Sequence, residues 1–135
     1  MSLAVSHMAA VAAGGALGSV ARYLIASSVM AWTGGGFPFG TLAVNLLGCT
    51  MMGLLAEAAA LFWSPPPELR SFLMVGVLGG LTTFSSFALD FGALWERNAQ
   101  LSAMAYMAAS LVLSLGGFFA GMALIRLLFS PGAAP

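Results

Sequence analysis

Gly76-Val77-Leu78-Gly79-Gly80-Leu81-Thr82-Thr83-Phe84-Ser85-Ser86-Phe87 lies within an uncharged run from Ser71 to Leu89. The run is long and apolar enough to cross a bilayer, which takes about 20 residues in a helix. Its middle is nevertheless a poor helix interior. Two adjacent glycines are followed by four hydroxyl residues within five positions, and both types disfavour a continuous helix. Ser and Thr can bond back to carbonyls of their own turn, which accounts for one or two such residues better than for the cluster. A break here frees main-chain N–H and C=O groups that lipid cannot satisfy. Such groups must then face protein, water or an ion, and broken helices are a common way for transporters to build ion sites.

The surrounding composition fits a membrane setting. Of 135 residues, 61% are hydrophobic and only 6% are charged, with four arginines against four acids and no lysine. A soluble domain carries about a quarter of its residues as charges. The balance also excludes a basic nucleic-acid binder and a charged disordered segment. One histidine (His7) and one cysteine (Cys49) leave no internal disulfide, zinc cluster or Cys–His couple. The chain reads as a single four-helix transmembrane domain over 1–135.

Hydropathy and breakers predict helices over about 5–32, 39–62, 69–94 and 100–129. The first ends at Gly34-Gly35-Gly36-Phe37-Pro38, the second at Trp63 and Pro65-Pro66-Pro67, and Glu96-Arg97-Asn98 separates the third from the fourth. The tail Pro131–Pro135 is expected to fray. A cleaved signal peptide is not expected at the N-terminus, since no Lys or Arg precedes Arg22 and the apolar stretch is too long. Trp32, Trp63 and Trp95 each fall at a predicted helix end, where amphipathic rings favour the headgroup region. Gly14 and Gly18, and Gly117 and Gly121, form GxxxG pairs suited to close helix packing.

Four spans place both termini and the second loop on one side, with Arg70 and Arg126. The other side has Arg97, with Arg22 reaching toward it. Orientation follows the Lys/Arg difference between short loops, and here it is almost nil. Either a weak bias suffices or the chain inserts both ways up. Four helices also leave little room for a pathway in one copy. An antiparallel homodimer is the expectation.

Other helices add polar groups at membrane depth. Asn45 has Thr41 one turn before it on the same face, and Tyr106, Ser110 and Ser114 recur every four residues as a hydroxyl track. Arg22 lies ten residues before Trp32, roughly 15 Å along a helix. It either snorkels or gives positive potential to an aqueous vestibule, with Asp90 a candidate partner or a group at its mouth. No Ser–His, metal-ligand or carboxylate-pair constellation is present, so conduction rather than catalysis is expected. Hydroxyls, an amide and the positive edges of Phe84 and Phe87 suit a small anion. The residues alone lead to an ion pathway of unspecified ion.

Gly-Thr-Leu-Ala-Val-Asn-Leu-Leu-Gly (40–48) together with Gly-Gly-Leu-Thr-Thr-Phe-Ser-Ser-Phe (79–87) resembles the Fluc/CrcB fluoride-channel family. So do Gly14-Gly15-Ala16-Leu17-Gly18 with Arg22-Tyr23, and the Tyr106/Ser110/Ser114 track. The likeness covers essentially the whole chain in order. It implies an all-α, multi-pass protein of the bacterial inner membrane, with the third helix broken at mid-membrane. It further implies an antiparallel, dual-topology homodimer that exports fluoride passively through two pores. A structural sodium ion, not transported, is implied at the dimer centre on the carbonyls of Gly79 and Thr82. Asn45, Phe84, Phe87, Tyr106, Ser110, Ser114 and Thr41 map to the fluoride pore, and Arg22 to the vestibule. The resemblance implies no catalytic activity and no nucleic-acid partner. A small dual-topology multidrug exporter shares the four helices and weak charge bias, but needs a titratable carboxylate deep in the first helix, where this chain has none. A structural subunit of a larger membrane complex leaves the polar break unexplained.

Overall fold

The computed structural model describes residues 2–129, and all regular structure among them is helical. The tail at 131–135 lies outside the described residues. Helix α1 spans Ser2–Thr33 and α2 spans Phe39–Leu61. A third run starts as α3 (Pro67–Arg70), continues as a π-helical stretch (Ser71–Leu78) and closes with one turn, α4 (Gly79–Leu81). Two residues later α5 begins (Phe84–Glu96), and α6 (Gln100–Phe129) completes the chain. Four of these helical segments, α1, α2, Pro67–Glu96 and α6, are long and apolar enough to cross a membrane.

The breaks follow local chemistry. Gly34 adopts φ 73°, a left-handed conformation that ends α1 without a Cβ penalty, and its N–H returns to the Met30 carbonyl at 3.1 Å. Pro67 opens α3 at a position where its missing N–H costs nothing. Asn98, at φ 58°, turns the chain from α5 into α6. The π-helical stretch was not expected from the sequence. Runs of this kind are rare and hold an extra residue per turn.

Packing depends on glycine. A Cβ on Gly14 would collide with the Phe72 carbonyl, and one on Gly18 with the Val77 carbonyl, so α1 lies directly on the π-helical backbone. On the other side of the bundle, Gly53 meets the Phe118 carbonyl and Gly121 the Thr50 carbonyl, joining α2 to α6. In lipid, close backbone approach of this kind replaces the hydrophobic effect as a source of helix association.

Two small cores result. Val44, Leu78 and Leu81 pack beneath α1, while Leu94, Ala103 and Tyr106 pack with Phe37, Leu42, Phe87 and Phe91 at the other end of α5. Elsewhere large apolar side chains face outward on every long helix, among them Leu17, Met51, Leu89, Leu101 and Phe119. Such a surface is unstable in water and suits a hydrocarbon solvent.

The candidate ion pathway

The pathway residues gather around two extended positions. Thr82 (φ −83°, ψ 155°) and Thr83 (φ −155°, ψ 126°) leave the helix between α4 and α5. Thr82 keeps its ties to the preceding turn, its N–H and hydroxyl both bonding the Leu78 carbonyl at 3.0 Å. Thr83 turns forward and caps α5, its Oγ1 accepting the Ser86 N–H at 3.1 Å. Its hydroxyl also meets those of Ser85 (3.1 Å) and Ser86 (3.3 Å).

Asn45 on α2 clamps this point. Its Oδ1 accepts the Thr83 N–H at 2.8 Å, and its Nδ2 donates to the Thr83 carbonyl at 3.0 Å. One side chain thus satisfies both main-chain polar groups of Thr83. The pairing is possible because α2 and α4 are close: a Cβ on Gly48 would run into the Thr82 methyl group.

A cavity of about 320 Å³ lies beside the clamp, lined by Asn45, Thr82, Thr83, Phe84, Phe87, Ser110 and Ser114 with Cys49, Leu111 and Leu115. Its wall is largely apolar, with amide and hydroxyl groups at separate points. Ser110 is 6% exposed and its hydroxyl has no hydrogen-bond partner. Buried hydroxyls without partners are uncommon. Phe84 and Phe87 are tilted neighbours, ring centroids 5.3 Å apart, and Phe87 continues to Tyr106 at the same spacing. Phe84 is 76% exposed on the single chain.

A second cavity of about 310 Å³ contains Arg22, Ser19, Tyr23, Ser27, Thr41 and Ser86, and Thr83 contributes to both. Thr83 is therefore the wall between an arginine-bearing space and the aromatic one. Tyr106, placed by sequence on one track with Ser110 and Ser114, does not itself line the aromatic cavity but stands behind Phe87, which does. Tyr106 is fully buried in the second core, and its hydroxyl donates to Asp90 Oδ2 at 3.2 Å. Thr41 donates to the same oxygen at 2.6 Å. The open question of the partner of Asp90 is answered by two hydroxyls. Cys49 stands one turn beyond Asn45 on the cavity wall.

At one end of the bundle Arg126 grips Glu57 in a two-point ion pair, Nε to Oε1 at 2.8 Å and Nη2 to Oε2 at 3.0 Å. The sequence did not indicate it, because 69 residues separate the partners. Among the described residues no three His, Cys, Asp or Glu side chains gather as a metal site.

Helices of this length and apolarity define a multi-pass helical membrane protein, with a weakly polar cavity beside Thr82 and Thr83. The family model described as CrcB-like protein, Camphor Resistance (CrcB), matches residues 9–122. The chain belongs to the CrcB family. A relative from Rhodospirillum centenum is 59% identical over 117 residues, 87% of this chain and 93% of its own length. One from Agrobacterium fabrum is 51% identical over 123 residues (91% and 98%), and one from Nitrobacter winogradskyi 50% over 119 (88% and 94%). All three are named fluoride-specific ion channel FluC. The chain is a multi-pass protein of a bacterial membrane.

Proposed function

We propose that this chain forms a fluoride channel that lets the anion leave the cell passively. The observation that carries the reading is the cavity beside Asn45, where hydroxyls and aromatic rings stand in an otherwise apolar wall. Its naming relatives are similar over nearly their full length. Fluoride is small and a strong hydrogen-bond acceptor. Ser110 offers it an uncommitted hydroxyl, Ser114 a second, and Asn45 the amide hydrogen that Thr83 leaves unused. The edges of Phe84 and Phe87 carry the positive end of the ring quadrupole. Arg22 adds positive potential in the neighbouring space, and Thr41 and Tyr106 hold Asp90 away from the anion path.

The working unit is an antiparallel, dual-topology homodimer. The exposure of Phe84 and Gly79 on the single chain supports this, since a partner would cover both and complete the cavity wall. A sodium ion at the dimer centre is held by the Gly79 and Thr82 carbonyls of each copy. Neutral main-chain oxygens suit a hard cation, and both residues flank the point where the helix is interrupted. The ion neutralises no substrate and stays in place; its chemistry is to hold the interrupted segments together. Permeation needs no coupling step: a membrane potential drives the anion outward with about 2.3 kcal/mol per charge per 100 mV.

The test is efflux from sodium-containing liposomes, read with a fluoride electrode. Purified protein should release fluoride down its gradient and far less chloride. Well-folded protein that passes no fluoride would refute the reading. Phe84→Ile and Asn45→Asp should remove flux while the dimer persists by cross-linking.

A further inference from the structure

In an unbroken helix each carbonyl accepts from the N–H four residues on. For Gly79 that donor is the Thr83 N–H, and for Thr82 it is the Ser86 N–H. Both donors point elsewhere. Thr83 N–H goes to Asn45 Oδ1 at 2.8 Å and Ser86 N–H to Thr83 Oγ1 at 3.1 Å. We propose that Asn45 and Thr83 are positioning residues for a cation, diverting two main-chain donors and so leaving the Gly79 and Thr82 carbonyls as its oxygen ligands. This rests on the sodium reading above and adds the side chains that prepare the ligands.

The pairing is specific. The two carbonyls assigned to the ion are the two whose helical donors are held by side-chain oxygens. The mechanism of each diversion differs. Asn45 reaches in from α2 and grips Thr83 through both N–H and carbonyl, which fixes the extended ψ of Thr82 and turns its carbonyl out of the helical line. Thr83 acts locally as the cap of α5. Thr82 does not compete, since its own hydroxyl and N–H both return to Leu78. Gly79 is exposed and Thr82 half-buried, so the pair opens toward the face where a second copy would bring its own. A carbonyl stripped of its N–H at membrane depth is costly until another positive group replaces it. A hard cation bound by oxygen does so.

The experiment melts the purified protein in detergent across a sodium titration, with N-methylglucamine replacing sodium, and measures fluoride efflux in parallel. The wild-type chain should melt higher with sodium and saturate. Thr83→Ser keeps the acceptor oxygen and should keep the wild-type sodium midpoint. Thr83→Val and Asn45→Leu return the donors to the main chain and should raise that midpoint at least tenfold. Thr83→Ala repeats the loss if the valine variant does not assemble. Valine or alanine and leucine variants with wild-type midpoints would overturn the proposal, as would a serine variant shifted as far as valine. A wild-type chain that conducts fluoride but melts identically with and without sodium removes the sodium reading and the proposal together. A wild-type chain that passes no fluoride, yet whose sodium midpoint moves in the variants as stated, upholds the proposal and refutes the channel.

Discussion

Thr41 Oγ1 lies 2.6 Å from Asp90 Oδ2, a hydrogen bond that ties the first turn of α2 to the middle of α5 across 49 residues of sequence. Tyr106 donates to the same oxygen at 3.2 Å. Bonds to a charged acceptor are the stronger kind, about 1.5–3 kcal/mol each. Thr41→Val should therefore destabilise by about that amount, and Tyr106→Phe by less because its contact is longer. The double variant should cost more than the two summed, since either donor partly serves the carboxylate in the absence of the other and the double variant leaves it neither. Equilibrium unfolding in mixed micelles measures all three. A larger loss from Tyr106→Phe would refute the ordering.

Glu57 and Arg126 are mismatched in exposure: the Glu57 side chain is 7% exposed and that of Arg126 57%. Removing the guanidinium strands a carboxylate among α2 and α6, whereas removing both charges strands nothing. Arg126→Ala should lower the melting temperature more than the double variant Glu57→Gln/Arg126→Ala. Arg126→Lys should fall between wild type and Arg126→Ala, because an ammonium cannot reproduce the two-point grip. Equal melting temperatures for Arg126→Ala and the double variant would show that the stranded Glu57 carboxylate carries no penalty.

Two glycines three residues apart on α1 should respond in opposite ways. A Cβ on Gly18 meets the Val77 carbonyl, which is backbone and cannot step aside; a Cβ on Gly15 meets nothing within 4 Å. Gly18→Ala should cost about 1–3 kcal/mol through overpacking. Gly15→Ala should be neutral or stabilising by up to about 1 kcal/mol through lost chain entropy in the unfolded state. Thermal melts of the two purified variants decide it.

Ser110 separates stability from conduction. Its hydroxyl is buried without a partner, so Ser110→Ala should leave stability within about 0.5 kcal/mol of wild type or raise it. If that hydroxyl serves the passing anion, efflux should fall several-fold in the same variant. Unchanged efflux would take Ser110 off the path.

Much of the site was legible beforehand, and its gaps have physical causes. Breakers such as Pro65–Pro67 and Gly34 act on their own neighbours, so the spans could be placed from the chain alone. Asn45 and the Thr82-Thr83 interruption stood out because polar groups are rare at membrane depth. Their mutual bonds did not, since they depend on how α2 lies against α4. Tyr106 shows the limit most clearly. Its four-residue spacing from Ser110 groups it with the hydroxyl track, yet Phe37, Leu94 and Ala103 enclose it and Asp90 takes its hydroxyl. The π-helical stretch left no signal at all, because after Ser71 it is apolar throughout, from Phe72 to Leu78, and reads alike at either helical period.

The sequence by itself determined that this chain lives in a membrane, crosses it in four helical spans and interrupts the third with hydroxyl residues. These are local consequences of hydropathy, glycine and proline, and need no partner segment. Only the tertiary structure decided who satisfies whom. The Thr83 main chain goes to Asn45, Asp90 to Thr41 and Tyr106, and Glu57 to Arg126. A buried polar group must bond to whatever lies within about 3 Å, and that neighbour is chosen by the close glycine contacts that set the helices against one another.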